Sequence, residues 1–301
     1  MKKTKKQIKA GMKLYRSEKI GIVLFLIPCM IVFLVFYIYP ILEVVITSFS
    51  SWDGYGIPEF TGLKNYINLY SNSTFLTALK NFCLWSLLGV TIHVGFGVII
   101  AFILYEKPFG WKFTRFAFMA PNVISVAAWA IIYKFVFNKD YGILNTLIRK
   151  FVPEFEVNWL FESPYAFWAV TLTWLFYAVM TTLFIQGDLM AISEEVHESA
   201  MLDGATRWQV IKKIDLPLCR ISLGTSVLMA ISSKIGMYEN IKLTTAGGPR
   251  DDTMSLAVML TDAVTNLKYG YANAIAVTMI ILGIATLLLI NKLFRMNDSV
   301  Y

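Results

Sequence analysis

The sequence predicts an all-α membrane protein with six transmembrane helices and both termini in the cytoplasm. Of its 301 residues, 57% are hydrophobic and only 16% are charged, and the mean hydropathy is +0.60. These values differ from those of ordinary soluble domains. Six stretches are apolar and long enough to cross a hydrocarbon layer of about 30 Å as helices. They cover residues 20–49, 79–105, 116–137, 165–190, 218–241 and 272–294.

The first apolar stretch is expected to remain as a membrane span, because it is too long for a cleaved signal peptide and no small-residue cleavage site follows it. The predicted organisation is then a basic segment at 1–19, a first transmembrane helix at 20–49, a core transmembrane region at 79–294 and a tail at 295–301. Both end segments are predicted to be cytoplasmic.

The placement of lysine and arginine predicts this orientation, because cytoplasmic segments of membrane proteins hold an excess of both residues. With six spans, 17 of the 27 lysine and arginine residues fall in segments on the side of the N-terminus, seven in the opposite segments and three within spans. The net charge of +7 is therefore attributed to topology and to anionic lipid at the inner surface, with nucleic acid as a poor alternative.

Motifs for catalysis, metal binding and phosphate binding are missing from the sequence. It contains no G-x-x-x-x-G-K-[ST], G-x-S-x-G or H-E-x-x-H pattern. Cys29, Cys83 and Cys219 lie in or beside spans, without the spacing of a metal site. His93 lies in the middle of the second span, where we expect its imidazole to bond to a neighbouring helix. The chain is therefore not expected to be an enzyme.

A charged segment at 194–217, EEVHESAMLDGATRWQVIKKIDLP, interrupts the apolar pattern and predicts two short helices at the inner membrane surface. Ser193 is expected to cap the first helix, whose first turn carries two glutamates. Gly204 is expected to end it, because glycine adopts the left-handed conformation at little cost. Thr206, with Gln209 three residues later, matches a capping box and opens the second helix.

Pro217 is expected to end this second helix.

The charged segment is compatible with two simpler roles as well. An amphipathic loop can rest on the lipid interface without any partner. A DNA-reading helix-turn-helix has a similar outline, but the position between two membrane spans argues against that role.

The stretch from Glu198 to Pro217, E-S-A-M-L-D-G-A-T-R-W-Q-V-I-K-K-I-D-L-P, resembles the EAA loop of permease subunits in ATP-binding-cassette (ABC) importers. It departs from the opening triplet of that loop at Ser199, where alanine is usual. Four further stretches resemble the carbohydrate branch of the family, the maltose-type permeases: YP at 39–40, FTGLKNYINLY at 60–70, LTTAGGPRDDT at 243–253 and YGYANAIAV at 269–277. The resemblance covers about residues 20 to 295.

This resemblance implies a type I ABC importer permease fold and a sugar or oligosaccharide as the transported solute. It implies that the EAA loop docks in a cleft of a separate ATPase, with Glu198 making the polar contact and Gly204 permitting the turn. The expected ATPase-coupling residues are Glu198, Ser199, Ala200, Asp203, Gly204, Ala205 and Trp208.

The resemblance also implies partner chains in a prokaryotic cell membrane. They are a second six-helix permease chain, two copies of the ATPase and an extracellular sugar-binding protein. No cofactor is expected in this chain, because ATP and Mg would be bound by the partner ATPase. The sequence contains no phosphate-binding loop, which agrees with the binding of ATP by a partner chain.

The two spans on either side of the EAA loop are the predicted substrate pathway. Sugars stack their C–H faces on aromatic rings and form hydrogen bonds through their hydroxyls, and residues of both kinds recur along these spans at spacings close to one helical face. The same residue types also pack ordinary helix contacts, which remains an alternative. The expected pathway residues are Trp174, Tyr177, Thr181, Ser226, Ser233, Lys234 and Asn240.

Lys234 is compatible with two roles. It lies near the outer end of its predicted span, where its long stem can reach the lipid headgroups. Alternatively, it faces the pathway and has an anionic partner, either Glu239 or a carboxylate on the solute. The second role leads to the hypothesis that the solute is an acidic sugar, such as a uronate-containing or sialic-acid-type glycan, with a neutral oligosaccharide as the alternative.

An ion-coupled secondary transporter of a small polar solute is the alternative functional class. Such proteins usually carry an ionisable carboxylate near the bilayer midplane and related repeats of broken helices. No Asp or Glu occupies the middle of any predicted span, and no internal repeat is evident in the sequence. The sequence therefore favours the permease.

Cysteine labelling tests the predicted topology once the three native cysteines have been replaced. We expect Asn72→Cys and Asn158→Cys to react with a membrane-impermeant thiol reagent on intact cells that lack a wall barrier, because both segments are predicted to face outside. Thr206→Cys should react only after the membrane is permeabilised. Labelling at position 206 alone in intact cells would invert the topology.

Overall fold

The computed structural model describes residues 21–296, and nearly all regular structure in this range is helical. The fourteen helices of this range are α1 Gly21–Thr47, α2 Lys64–Tyr70, α3 Ser73–Tyr105, α4 Trp111–Val123, α5 Val126–Val136, α6 Ile143–Arg149, α7 Tyr165–Leu172, α8 Val179–Ala191, α9 Glu194–Leu202, α10 Arg207–Leu218, α11 Arg220–Ile235, α12 Glu239–Lys242, α13 Leu256–Thr265 and α14 Tyr269–Phe294. Between α1 and α2, strands β1 Ser50–Ser51 and β2 Glu59–Phe60 pair antiparallel.

Three of these helices, α1, α3 and α14, are long and apolar enough to cross a membrane. Two pairs of helices meet the same criterion together but are bent, α4 with α5 by 107° and α10 with α11 by 70°. The described residues therefore contain three to five candidate spans. The predicted count of six and the cytoplasmic position of both termini stay predictions, and residues 1–20 and 297–301 lie outside the described range.

The helix predicted over 116–137 is broken rather than continuous. Its middle is a 3-10 turn at Ala120–Val123 that contains Pro121, which has no backbone N–H to donate to the preceding turn. Ser125 then adopts an extended conformation, and its Oγ accepts a hydrogen bond from the backbone N–H of Ala128 at 3.3 Å. This cap starts α5 in a new direction.

The spans predicted at 165–190 and 218–241 are also divided. The first consists of α7 and α8, with an irregular segment at 173–178 between them. The second consists of α11 and the short α12, with residues 236–238 between them. Because both interruptions lie inside apolar stretches, their backbone polar groups need partners within the protein.

Helix α3 organises the bundle. Its C-terminal half packs along α8, and α11 packs against both α3 and α14. The close approach of α3 and α8 occurs at Gly97, whose carbonyl oxygen accepts a hydrogen bond from Thr182 Oγ1 at 2.9 Å. A Cβ atom on Gly97 would lie 2.7 Å from the Cβ of Thr181, so a larger residue does not fit without a shift.

Gly97→Ala is expected to destabilise the chain by about 1–3 kcal/mol, because the added methyl group overpacks the contact between α3 and α8. Gly95→Ala is the matched control on the same helix, since a Cβ atom there meets nothing within 4 Å. The control should be neutral or slightly stabilising, because alanine has the higher helix propensity. Thermal unfolding of both purified variants in detergent compares them, and equal unfolding temperatures would contradict the close approach.

Candidate functional site

The two divided spans meet at a cavity of about 550 Å³, which we call the central cavity. Its wall is formed by the segment between α7 and α8, the end of α11 and the residues leading into α12, with contributions from α3 and α5. His93 and Glu239 line the cavity, although neither was among the expected pathway residues. Five of the seven expected residues line it: Trp174, Tyr177, Ser233, Lys234 and Asn240.

Side chains from α3 and α5 satisfy backbone carbonyl groups of the irregular segment at 173–178. His93 Nδ1 lies 3.1 Å from the carbonyl oxygen of Trp174 and 3.2 Å from that of Leu175. Because carbonyl oxygens only accept, Nδ1 carries the hydrogen. Trp129 Nε1 donates to the carbonyl oxygen of Thr173 at 2.7 Å. The imidazole of His93 is bonded to another part of the bundle, although its acceptors lie in the irregular segment between α7 and α8 rather than in the expected helix.

The prediction that Trp174 and Tyr177 share the face of a continuous helix is wrong. Both lie in the irregular segment, so a helical spacing does not describe their positions. They still line the same cavity, and the Tyr177 ring packs against that of Trp129 with 5.6 Å between the ring centroids. The aromatic surface therefore comes from an interruption of the span rather than from a helical face.

Two of the expected pathway residues lie away from the central cavity. Thr181 is buried at the contact of α3 and α8, beside Gly97. Ser226 is buried in α11, where its Oγ donates to the carbonyl oxygen of Ser222 at 2.8 Å. These two residues occupy helix contacts, which is the alternative that the sequence left open.

Lys234 points into the protein from the last turn of α11. The residue is only 7% exposed, and its Nζ lies 3.2 Å from the centroid of the Trp174 ring, a cation–π contact. This position contradicts the first role, in which the side chain extends along the surface to the headgroups. Within residues 21–296, no carboxylate forms an ion pair with Lys234, although Glu239 lines the same cavity.

Two polar atoms of the cavity residues, the indole Nε1 of Trp174 and the hydroxyl Oη of Tyr177, have no hydrogen-bond partner in the described part of the chain. Buried polar groups are usually paired, so these two atoms can take a partner from outside the described residues. Asn240 Nδ2 reaches Thr173 Oγ1 at 3.4 Å, which ties α12 to the irregular segment. The cavity thus combines aromatic rings, an indole N–H, a phenol hydroxyl and an ammonium group.

The segment at 194–217, which we call the coupling loop, folds as the predicted helix, turn and helix, here α9 and α10. Gly204 has a φ of +79°, the left-handed conformation that was expected of it. The N–H of Gly204 donates to the carbonyl oxygen of Met201, and the N–H of Ala205 donates to that of Ala200, both at 3.0 Å. This pair of bonds is the Schellman motif, which fixes the end of α9.

The other helix ends of the coupling loop agree with the sequence in part. Thr206 and Gln209 form the predicted capping box. Ser193 precedes α9 as expected, but its side chain forms no capping hydrogen bond. The second helix ends at Leu218, one residue after Pro217, so the proline limits it as expected. A π-helical turn precedes the proline, and its wider backbone leaves room for the ring.

The turn of the coupling loop presents a largely exposed surface. Met201 and Leu202 are 60% and 89% exposed, and neither was among the expected coupling residues. Large apolar side chains exposed beside charged ones are typical of surfaces that bind other proteins. Among the seven expected residues, two are partly exposed, Ala200 and Ala205, and five are exposed, Glu198, Ser199, Asp203, Gly204 and Trp208.

Sequence comparison identifies the family. Residues 93–299 match the family model described as binding-protein-dependent transport system inner membrane component. The chain is 31% identical to the probable ABC transporter permease protein YurN of Bacillus subtilis, over 93% of this chain and 97% of that protein. It is 32% identical to the multiple sugar-binding transport system permease protein MsmF of Streptococcus mutans, over 88% of this chain and 92% of that protein.

Comparison with solved structures identifies the fold. One chain of a bacterial ABC transporter involved in the import of the acidic polysaccharide alginate superposes with a TM-score of 0.80 at 20% identity, over 95% of this chain and all of that one. The ion-coupled alternative is not supported by either comparison. The chain belongs to the family of binding-protein-dependent transport system inner membrane components, and it is a multi-pass membrane protein with the helical fold of an ABC importer permease.

Proposed function

We propose that this chain is one of two permease subunits of an ATP-driven importer that carries a sugar or oligosaccharide into the cell. The observation that carries the proposal is the central cavity, which lies where the two spans beside the coupling loop are interrupted. Relatives named for sugar transport support it, among them MsmF and the trehalose/maltose transport system permease protein MalF of Thermococcus litoralis, 28% identical over 93% of this chain.

The chemistry of the cavity suits a sugar. The ring of Tyr177 lines the cavity, and the ring of Trp174 would offer a second surface for the C–H face of a pyranose once Lys234 Nζ moved away from it. The indole Nε1 of Trp174 and the phenol Oη of Tyr177 lack partners among residues 21–296 and would be the candidate groups to bond to sugar hydroxyls. Ser233 and Asn240 add a hydroxyl and an amide to the same wall. An irregular backbone that lines a polar cavity inside a bundle is typical of transport sites.

The remaining parts of the importer would come from partner chains. We propose a second six-helix permease that completes the pathway, two copies of an ATPase that bind ATP and Mg, and an extracellular sugar-binding protein that delivers the solute. A structure of the alginate transporter contains a periplasmic protein bound to an alginate pentasaccharide, which is the arrangement that we propose by analogy.

The coupling loop is the proposed contact with the ATPase. Its Schellman turn and its capping box define the ends of the two short helices that would act as the lever. Glu198, on the exposed side of α9, would make the polar contact, and Met201, Leu202 and Trp208 would supply the apolar part of the surface. Nucleotide-driven closure of the ATPases would then move the spans that line the central cavity.

We extend the proposal to the charge of the solute, because Lys234 lacks an ion-pair partner among the described residues. A carboxylate on an acidic sugar would supply that partner and draw the ammonium group away from Trp174. The exposed ring would then stack on the sugar. The likeness to an importer of an acidic polysaccharide agrees with this extension.

Glu198→Lys is expected to reduce sugar uptake by about tenfold or more while the chain remains in the membrane, because coupling free energies are typically about 1–3 kcal/mol. Gly204→Val should have a similar effect, since a β-branched residue is strained at a φ of +79°. Glu195→Lys is the matched control, with the same charge change on an exposed residue of α9 outside the motif. Normal uptake and normal substrate-stimulated ATP hydrolysis in both test variants would contradict the coupling role.

Lys234→Gln is expected to lower uptake of an acidic oligosaccharide by about tenfold, because a charge-assisted hydrogen bond contributes about 1.5–3 kcal/mol. Uptake of a neutral oligosaccharide of the same length should change little. Lys242→Gln is the control, because it removes the same charge from a lysine that does not line the central cavity and already pairs with Asp262 at 2.6 Å. The acidic-sugar proposal fails if Lys234→Gln leaves transport of every tested sugar unchanged, or if mass spectrometry finds an uncharged ligand in the purified complex.

A further inference from the structure

A buried hydrogen bond joins the two helices of the coupling loop. His197 on α9 donates from Nε2 to Oδ1 of Asp215 on α10 at 2.7 Å. Asp215 is fully buried, and His197 is the one buried residue of α9. The two residues lie 18 positions apart, on opposite sides of the Gly204 turn. The bond therefore links α9 and α10 across that turn.

This bond continues into an ionic chain that reaches α3. The second carboxylate oxygen of Asp215 lies 3.7 Å from Nη1 of Arg207, at the start of α10. The other guanidinium nitrogen of Arg207 pairs with Glu106, the residue that directly follows α3. We call His197 and Asp215 the buried clamp. Arg207 and Glu106, whose side chains are 43% and 56% exposed, connect it with α3.

Helix α3 connects the buried clamp with the central cavity. Glu106 stands at its C-terminal end, and His93, which holds the irregular segment, lies 13 residues earlier. That separation is roughly 20 Å along a helix with a rise of about 1.5 Å per residue. A displacement of the coupling loop that is transmitted through Glu106 therefore acts on the helix that supports the cavity wall.

The buried clamp also restricts the loop mechanically. A carboxylate without access to water needs partners, and removal of one partner of a buried pair is strongly destabilising. Asp215 keeps its hydrogen bond from His197 only while α9 and α10 keep their present arrangement, because the histidine comes from α9, whereas Arg207 belongs to α10 like Asp215 itself. Apart from this histidine, α9 carries exposed or half-buried side chains, so the clamp is its main side-chain anchor to the rest of the protein.

We propose that His197 and Asp215 are positioning residues for energy coupling. They fix the angle between α9 and α10, so that force applied to the exposed side of α9 moves the whole coupling loop and, through Arg207 and Glu106, helix α3. Without the buried bond, α9 would pivot about the Gly204 turn and the force would be lost. This inference rests on the proposed contact between the coupling loop and an ATPase.

The test uses the complete transporter in proteoliposomes, with both permease chains, the ATPases and the sugar-binding protein. The measured quantity is the number of sugar molecules imported per ATP hydrolysed. His197→Phe removes the donor and is expected to lower this ratio by about fivefold or more, the lower end of typical coupling factors. His197→Gln keeps a donor of similar reach and should stay close to wild type.

Lys212→Gln is the matched control, because Lys212 is an exposed residue of the same π-helical turn that ends at Asp215. If His197→Phe does not assemble, His197→Leu decides, because leucine is closer to histidine in volume and has no hydrogen-bond donor, and a fall in the same ratio is expected. A merely structural role would reduce the amount of complex and its unfolding temperature but leave sugar per ATP unchanged, and that result would overturn the proposal.

The same assay separates this inference from the proposed function. If Glu198→Lys lowers the ratio while His197→Phe and His197→Leu do not, the loop couples but the buried clamp is not needed. If Glu198→Lys also leaves the ratio unchanged, the proposed contact with the ATPase itself is wrong, and the inference about the clamp falls with it.

Discussion

The need to satisfy backbone carbonyl groups inside an apolar bundle is the constraint on which the rest of this structure depends. The segment at 173–178 lacks the regular hydrogen bonds of a helix. The hydrocarbon layer offers no water to bond to its backbone groups instead. His93 and Trp129 donate hydrogen bonds to carbonyl groups of this segment from two other helices. Because these donors hold the segment open, two aromatic side chains and the end of α11 can form a polar cavity within the bundle.

The same helix that supports the cavity also connects it with the inner surface. Helix α3 contains His93 within its length and is followed by Glu106, which pairs with Arg207 of the coupling loop. Gly97, between them, allows α8 to approach closely enough to pack along α3. The proposed transmission of force therefore needs only one long helix, one close contact and one ionic connection.

Features governed by neighbouring residues could be predicted from the sequence, whereas features governed by distant contacts could not. The turn at Gly204 and the capping box at Thr206 follow from local chemistry, and both are present. The interruption at 173–178 contains neither proline nor glycine, so the apolar pattern predicted a continuous helix there. Its donors come from α3 and α5, and the pairing of His197 with Asp215 likewise spans a turn that no periodicity marks.

The most direct test is the structure of the complete transporter, solved by cryo-electron microscopy with an acidic oligosaccharide bound. A sugar ring should lie against Trp174, with the ammonium group of Lys234 moved from that ring to the sugar carboxylate. His93 should still hold the carbonyl groups of the irregular segment. A sugar bound only by the partner permease, with Lys234 still over Trp174, would show that this cavity is not the sugar site.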